Sequence, residues 1–403
     1  SLALAGALAV ALVKVATTAT ITGDLQLIDV ATGASGRADV AVTATTRNAV
    51  TTSADPGTPA GTATNGVGTS VALTVVDVDT AAQLAANAGI SGLRHLRVAA
   101  ASHSTASTEA LGGSNGTSLA LAGATAITVA TERTTAIIDA ANSALLASGN
   151  VVVEAEQIAL VKTTARGAAE SGDAALGVVI SLAFVDHRVT ATTARDITAE
   201  GTITIRVTGA SSTVTLAEAT AGGAPGENTA SPGQPAAGQP SATDSLESAR
   251  GFAAGAAGGA SAVPASLPKP TTPNGTVTVA AALAVTIHNT VADASVSGVT
   301  LTASAVTLSA RHHDIADSTA SGQPDNRGPP STVTIAAGIA ITVVDVTIAA
   351  TAGAGTTIHT TAALTVTCPD GIGRLRVRVT AASISRSVMS FQVQPAPRIR
   401  KAP

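Results

Sequence analysis

The residues best suited to chemistry are the seven histidines and the acids beside them. The densest group is Arg311, His312, His313 and Asp314, followed by Asp186, His187 and Arg188. A histidine next to a carboxylate is the raw material of acid–base or metal chemistry. A working site, however, needs groups that converge from several elements, and neighbours on a strand point to opposite faces. Neither group recurs at the same position elsewhere in the chain, so both are expected on solvated turns or faces. Asp77 and Asp79 do not make a calcium ligand set, no GxSxG elbow is present, and no phosphate-binding glycine loop precedes a helix. One cysteine, Cys368, excludes an intramolecular disulfide or a multi-cysteine metal site. The sequence therefore assigns no catalytic, cofactor-binding or metal-binding residue, and no cofactor.

Whatever holds these residues is built from small side chains. The 403 residues include no Trp, no Tyr, three Phe and one Met, yet 45% are hydrophobic and only 12% are charged. Mean hydropathy is +0.38. Such a chain is too apolar and too weakly charged for disorder and must bury a core. The formal charge of −4 gives no reason to expect nucleic acid. Leu2–Val13 lacks the basic flank of a signal peptide and is too short to span a bilayer.

Six ungapped segments align, beginning at Ala7, Ser70, Ala124, Val179, Ala282 and Gly338. One unit is about 55 residues, with an extra length of nearly 50 between the fourth and fifth. The third position is always tiny: Ala9, Ala72, Ala126, Ser181, Ala284, Ala340. The fourth (Val10, Leu73, Ile127, Leu182, Val285, Ile341) and the sixth (Leu12, Val75, Val129, Phe184, Ile287, Val343) are always large and apolar. The thirteenth is alanine in all six copies, from Ala19 to Ala350. This alternation has period two and is rich in Val, Ile and Thr, which fits strands and not helices. A second alternating stretch follows in each unit, at 40–42, 96–98, 151–153, 203–205, 306–308 and 364–366. Units of this kind wind into coils that stack their equivalents in register, about 4.8 Å apart. A narrow interior of that sort suits small aliphatic side chains and not rings or charges, with Thr and Ser on the outside. Whether 55 residues make one wide coil or several narrow ones stays open.

The fold expected is all-β, a parallel β-solenoid of six repeats. Repeats 1–4 occupy residues 1–218, a Pro/Gly/Ala-rich excursion 219–274, repeats 5–6 residues 275–373, and a basic tail 374–403. The tail carries seven of the 22 cations, and its RLRVRVT run (374–380) fits a strand that caps the stack. No comparable cap precedes Leu2, which suggests a piece of a longer protein or an end covered by another subunit.

The stretches GTSVALTVVDVDTAAQL (68–84) and LRVAAASHSTASTEA (96–110) resemble the repeats of large bacterial surface proteins related to filamentous haemagglutinin and autotransporter adhesins. The resemblance implies a right-handed β-helix, export to the cell surface or exterior, and a non-catalytic role as a shaft, fibre segment or adhesin; the low charge and the uncapped first unit add the expectation that chains self-associate, end to end or side by side. A carbohydrate-active β-helix enzyme is the alternative by fold analogy, without the aromatic platforms that sugars favour. An ice-binding Thr face is a lesser one, resting on Thr17, Thr18, Thr20, Thr190, Thr192 and Thr193. Sequons at Asn115 and Asn274 could carry glycans.

Overall fold

In the computed structural model the described residues are 1–28, 37–57, 63–86, 88–222, 277–324, 333–368, 372–380 and 388–390, with backbone alone at 324, 333–334, 372–380 and 388–390. The chain is a parallel β-solenoid in which each repeat is one wide coil. The first coil comprises β1 (Leu2–Ile21), the short β2 (Leu25–Gln26) and β3 (Ala38–Ala54). The second comprises β4 (Asn65–Leu84), β5 (Ile90–Ser91) and β6 (Leu93–Gly116), and the third β7 (Leu119–Ile138), β8 (Leu145–Ala147) and β9 (Val151–Ser171). The fourth is β10 (Ala174–Thr193), β11 (Ile197–Ala199) and β12 (Thr202–Gly222), and the fifth β13 (Val277–Val296) and β14 (Thr300–Pro324). The sixth is β15 (Val333–Ala352), β16 (Thr357–Thr367) and β17 (Ile372–Thr380), and β18 (Val388–Ser390) adds to β15.

The first long strand of every coil joins one sheet, in the order β1-β4-β7-β10-β13-β15-β18, and the second long strands join the other. The six aligned segments lie side by side without a slip: Ala7 pairs Ser70, Ser70 pairs Ala124, Ala124 pairs Val179, Val179 pairs Ala282, and Ala282 pairs Gly338. The second stretches match as well, Val40 with Leu96, Leu96 with Val151, Val151 with Ile203, Ile203 with Val306 and Val306 with Leu364. Strands of 20 residues make each coil about 66 Å wide, while six coils rise only about 29 Å.

Side-chain bulk sets the gap between the sheets. At one end both sheets present alanine, with Ala72, Ala126, Ala165, Ala217 and Ala284 in a single buried cluster. There the backbones nearly touch: a Cβ on Gly68 would lie 1.8 Å from the carbonyl oxygen of Gly113, so only glycine fits. At the other end the sheets splay around Leu84, Leu96, Ile138, Leu145, Ile197, Ile203 and Leu308, all fully buried, and short strands such as β8 and β11 close the corner. Between these ends run two zigzags of hydroxyls. One passes from Thr163 through Thr128, Thr108 and Thr74 to Thr52, in steps of 2.6–2.8 Å. The other passes from Thr342 through Ser318 and Thr286 to Thr215, in steps of 2.6–2.7 Å.

Two sequence expectations are thereby corrected. Threonine, expected on the exterior, lies on both faces: Thr18, Thr43, Thr45 and Thr51 are exposed, while the two hydroxyl rows lie inside, because a hydroxyl that faces another hydroxyl across a narrow gap satisfies both. The large aliphatic columns lie outside: Val10, Leu12, Phe184, Ile287 and Val343 are all exposed. The tiny third position and the thirteenth-position alanines take the interior instead, as with Ala72, Ala126, Ala82 and Ala136 at 0% exposure. Residues 219–222, placed in the excursion by composition, continue β12, and the rest of 219–274 falls outside the described residues. The RLRVRVT run is a strand that pairs with β14.

Candidate functional site

The first sheet turns every second residue inward, and two inward columns carry the unusual chemistry. The column Val13, Val76, Ala130, Val185, His288, Val344 is aliphatic except in coil five, and the column Val15, Val78, Glu132, His187, Thr290, Val346 is aliphatic in coils one, two and six and polar in coils three to five. Facing them, the second sheet supplies Ser102, Gln157, Gly209 and His312 in one column and Ser104, Ala159, Ser211 and Asp314 in the next. The strand alternation separates the two histidine-rich motifs as expected, with His187, His312 and Asp314 inward. Their expected solvation is overturned: His187, His288 and His312 are 0–1% exposed and Asp314 is 3% exposed.

Asp314 is the hub. Its Oδ1 accepts from Nε2 of His288 at 3.0 Å, from Oγ1 of Thr290 at 2.9 Å and from Oγ of Ser211. Its Oδ2 accepts from Nδ1 of His312 at 3.0 Å. Nδ1 of His288 meets the Thr213 hydroxyl at 2.9 Å, and that hydroxyl can donate to the ring or accept from it, so the proton on Nε2 is placed by the acceptor-only carboxylate of Asp314. Burial pushes the Asp314 carboxyl up, but His312 and His288 outweigh it and hold the group well below the usual carboxylate range. The ring of His187 meets that of His288 edge-on, 5.4 Å between centroids. Both His187 nitrogens and Nε2 of His312 have no hydrogen-bond partner. Burial drives the His187 pKa well below its ordinary value, and the neighbouring His288 and His312 add to the effect. Gly209 makes room for this cluster, since a Cβ there would sit 2.0 Å from Cδ2 of His312.

One coil earlier, Glu132 is 1% exposed and pairs across the ladder with His187. Gln157 Nε2 donates to its carboxylate at 3.2 Å. Burial outweighs that bond and pushes the carboxyl up to about 7.

Ser211, His288 and Asp314 are the parts of a nucleophilic triad in the wrong order. A proton relay needs the serine and the acid on opposite imidazole nitrogens, whereas here both meet Nε2 of His288. The cluster is also sealed from solvent, so its chemistry is the holding of charge and protons within the wall of the solenoid. Among the described residues no three His, Cys, Asp or Glu are arranged to hold a metal ion, and no helix is long and apolar enough to cross a membrane.

On the outer face of the second sheet, Arg97, Glu154 and Arg206 form an ion-pair row across three coils beside an open cleft floored by Thr43, Ala99, Ala101 and Thr208. Nε of Arg97 donates to Glu154 at 2.7 Å, and Arg206 takes the other carboxylate oxygen. With Glu156 also lining the cleft, its two cations face two anions, so the charges balance.

No family model, curated protein or solved structure matches the chain. The interior cluster was findable in the aligned repeats: position nine reads Val, Val, Glu, His, Thr, Val down the copies, and a break in a column that is otherwise valine marks an interior exception.

Proposed function

We propose that this chain is a non-catalytic structural module, a block of a cell-surface or extracellular fibre or adhesin shaft that self-associates. The observation that carries the reading is the unbroken residue-for-residue register of 20-residue strands over six coils, which makes a stiff body that lengthens by adding coils. The placement outside the cell rests on the resemblance alone. The cleft beside Glu154 is the place where a carbohydrate-active enzyme would work, and its paired charges argue against that reading because both Glu154 oxygens are engaged by arginine. Electron microscopy of concentrated protein, together with a reducing-end assay on a panel of polysaccharides, tests the proposal. Ordered assemblies without sugar release support it. Release that disappears in Glu154→Gln would replace it with the enzyme reading.

A further inference from the structure

Soluble proteins scatter their exposed apolar side chains, and contiguous patches beyond a few hundred Å² mark interaction surfaces. Here they are gathered. Of the eighteen large hydrophobic side chains exposed among the described residues, thirteen lie on the outer face of the first sheet. They occupy the leading part of each strand, ten of them in columns that begin at Leu4, Leu8, Val10 and Leu12 and repeat through the coils, with Leu2, Val178 and Val277 beside them. The polar border begins at the next outward column, where Lys14 pairs with Asp77 at 3.6 Å.

We infer that this face is the contact between two copies of the chain, packed sheet against sheet. The inference rests on the structural-module reading and names the surface through which the module associates. Six strands at about 4.8 Å and nine residues at about 3.3 Å give a patch of about 29 by 30 Å, on the order of 850 Å². That matches the roughly 800 Å² per partner of a standard stable interface. The chemistry suits a copy better than an unrelated partner. Hetero-interfaces centre on Trp, Tyr and Arg anchors seated in pockets, whereas this plane is flat, aliphatic and has Phe184 as its one aromatic ring. Rows of Val, Ile and Leu at strand spacing are what the inner face of a β-sandwich presents, and they interdigitate with another such sheet about 10 Å away. A two-fold axis lying in the contact plane brings the patch onto itself and closes the pair.

The test is sedimentation or light scattering of the chain across a concentration series, beside the variant Leu182→Thr/Phe184→Thr/Ile287→Thr. Threonine keeps strand propensity and leaves the interior untouched. The native chain is expected at twice its 38.7 kDa mass. The variant should dissociate at least ~100-fold more readily, because each apolar group is lost twice in a symmetric interface. A control, Thr204→Lys on the outer face of the second sheet, should stay dimeric, and circular dichroism confirms that each variant retains its strands. If the triple variant misfolds, Phe184→Thr alone gives a smaller weakening of the same sign. A native chain that stays monomeric at the highest concentration, or a triple variant as dimeric as the native chain, overturns the interface. Assemblies that persist in the triple variant leave the structural module standing without this contact, and a dimer that releases sugar keeps the contact while removing the module reading.

Discussion

Replacing Glu132 by glutamine removes a titratable carboxyl from the solenoid wall while keeping its shape and an oxygen to accept from Gln157. In the folded chain this carboxyl is pushed from its ordinary 4.5 to about 7. The groups around it are Gln157 from β9, Ser104 from β6 and His187 beside it on β10. A group whose folded pKa lies above its unfolded value favours the fold below the unfolded pKa, and that advantage is lost as pH rises through the folded pKa. The native chain should therefore lose stability between about pH 4.5 and pH 7 and beyond, and the gap corresponds to about 3 kcal/mol at 1.36 kcal/mol per pH unit. Full burial means that no solvent screening reduces this figure. The assay is urea unfolding of both proteins from pH 4.5 to pH 9, read as the difference between them, so that His187 and Asp314 cancel. The two should coincide near pH 4.5, and Glu132→Gln should be more stable by about 3 kcal/mol at pH 9. Infrared spectra supply a readout independent of unfolding, a protonated-carboxyl stretch that titrates near pH 7 in the native chain and is absent from the variant. A difference that is flat with pH, or that favours the native chain in alkali, would refute the reasoning.

Three further outcomes follow from the same interior. His187→Val restores the residue type of coils one, two and six and removes two unpartnered ring nitrogens; it should stabilise the fold by about 1–2 kcal/mol in chemical denaturation. Because the His187 pKa is depressed in the fold, the native chain loses stability as pH falls through the ordinary histidine range, and that acid-side slope should be shallower in the variant. Asp314→Asn leaves two buried imidazoles without their shared anion and should cost about 3–5 kcal/mol in the same assay. Gly209→Ala drives a methyl into the His312 ring and should cost about 1–3 kcal/mol, and the double variant Gly209→Ala/His312→Ala should recover part of that loss.

The repeat register was legible because each coil pairs with a near copy of itself. Six alanines at position thirteen and a tiny residue at position three can only stack if their strands lie side by side. The inside and the outside were harder to assign. Period two says that the faces differ, but which face turns inward depends on the opposite sheet, and here the space beside Ala72 is set by Ala110 and by the meeting of Gly68 with Gly113. Once the gap is that narrow, small residues belong inside and Leu12, Phe184 and Ile287 are left to the exterior. The buried cluster escaped because it is not repeated. His312 and Asp314 share a strand and Ser211 pairs with Asp314 from the adjacent coil of the same sheet, but His288 reaches them only because the two sheets face each other.

The breadth of each coil has a mechanical consequence. A plank resists bending along its wide dimension far more than across its thin one, so a stack of these coils would flex easily out of the plane of its sheets and hardly at all within it. Joining two planks back to back through their greasy sides would thicken the weak direction and leave a beam that is stiff on both axes.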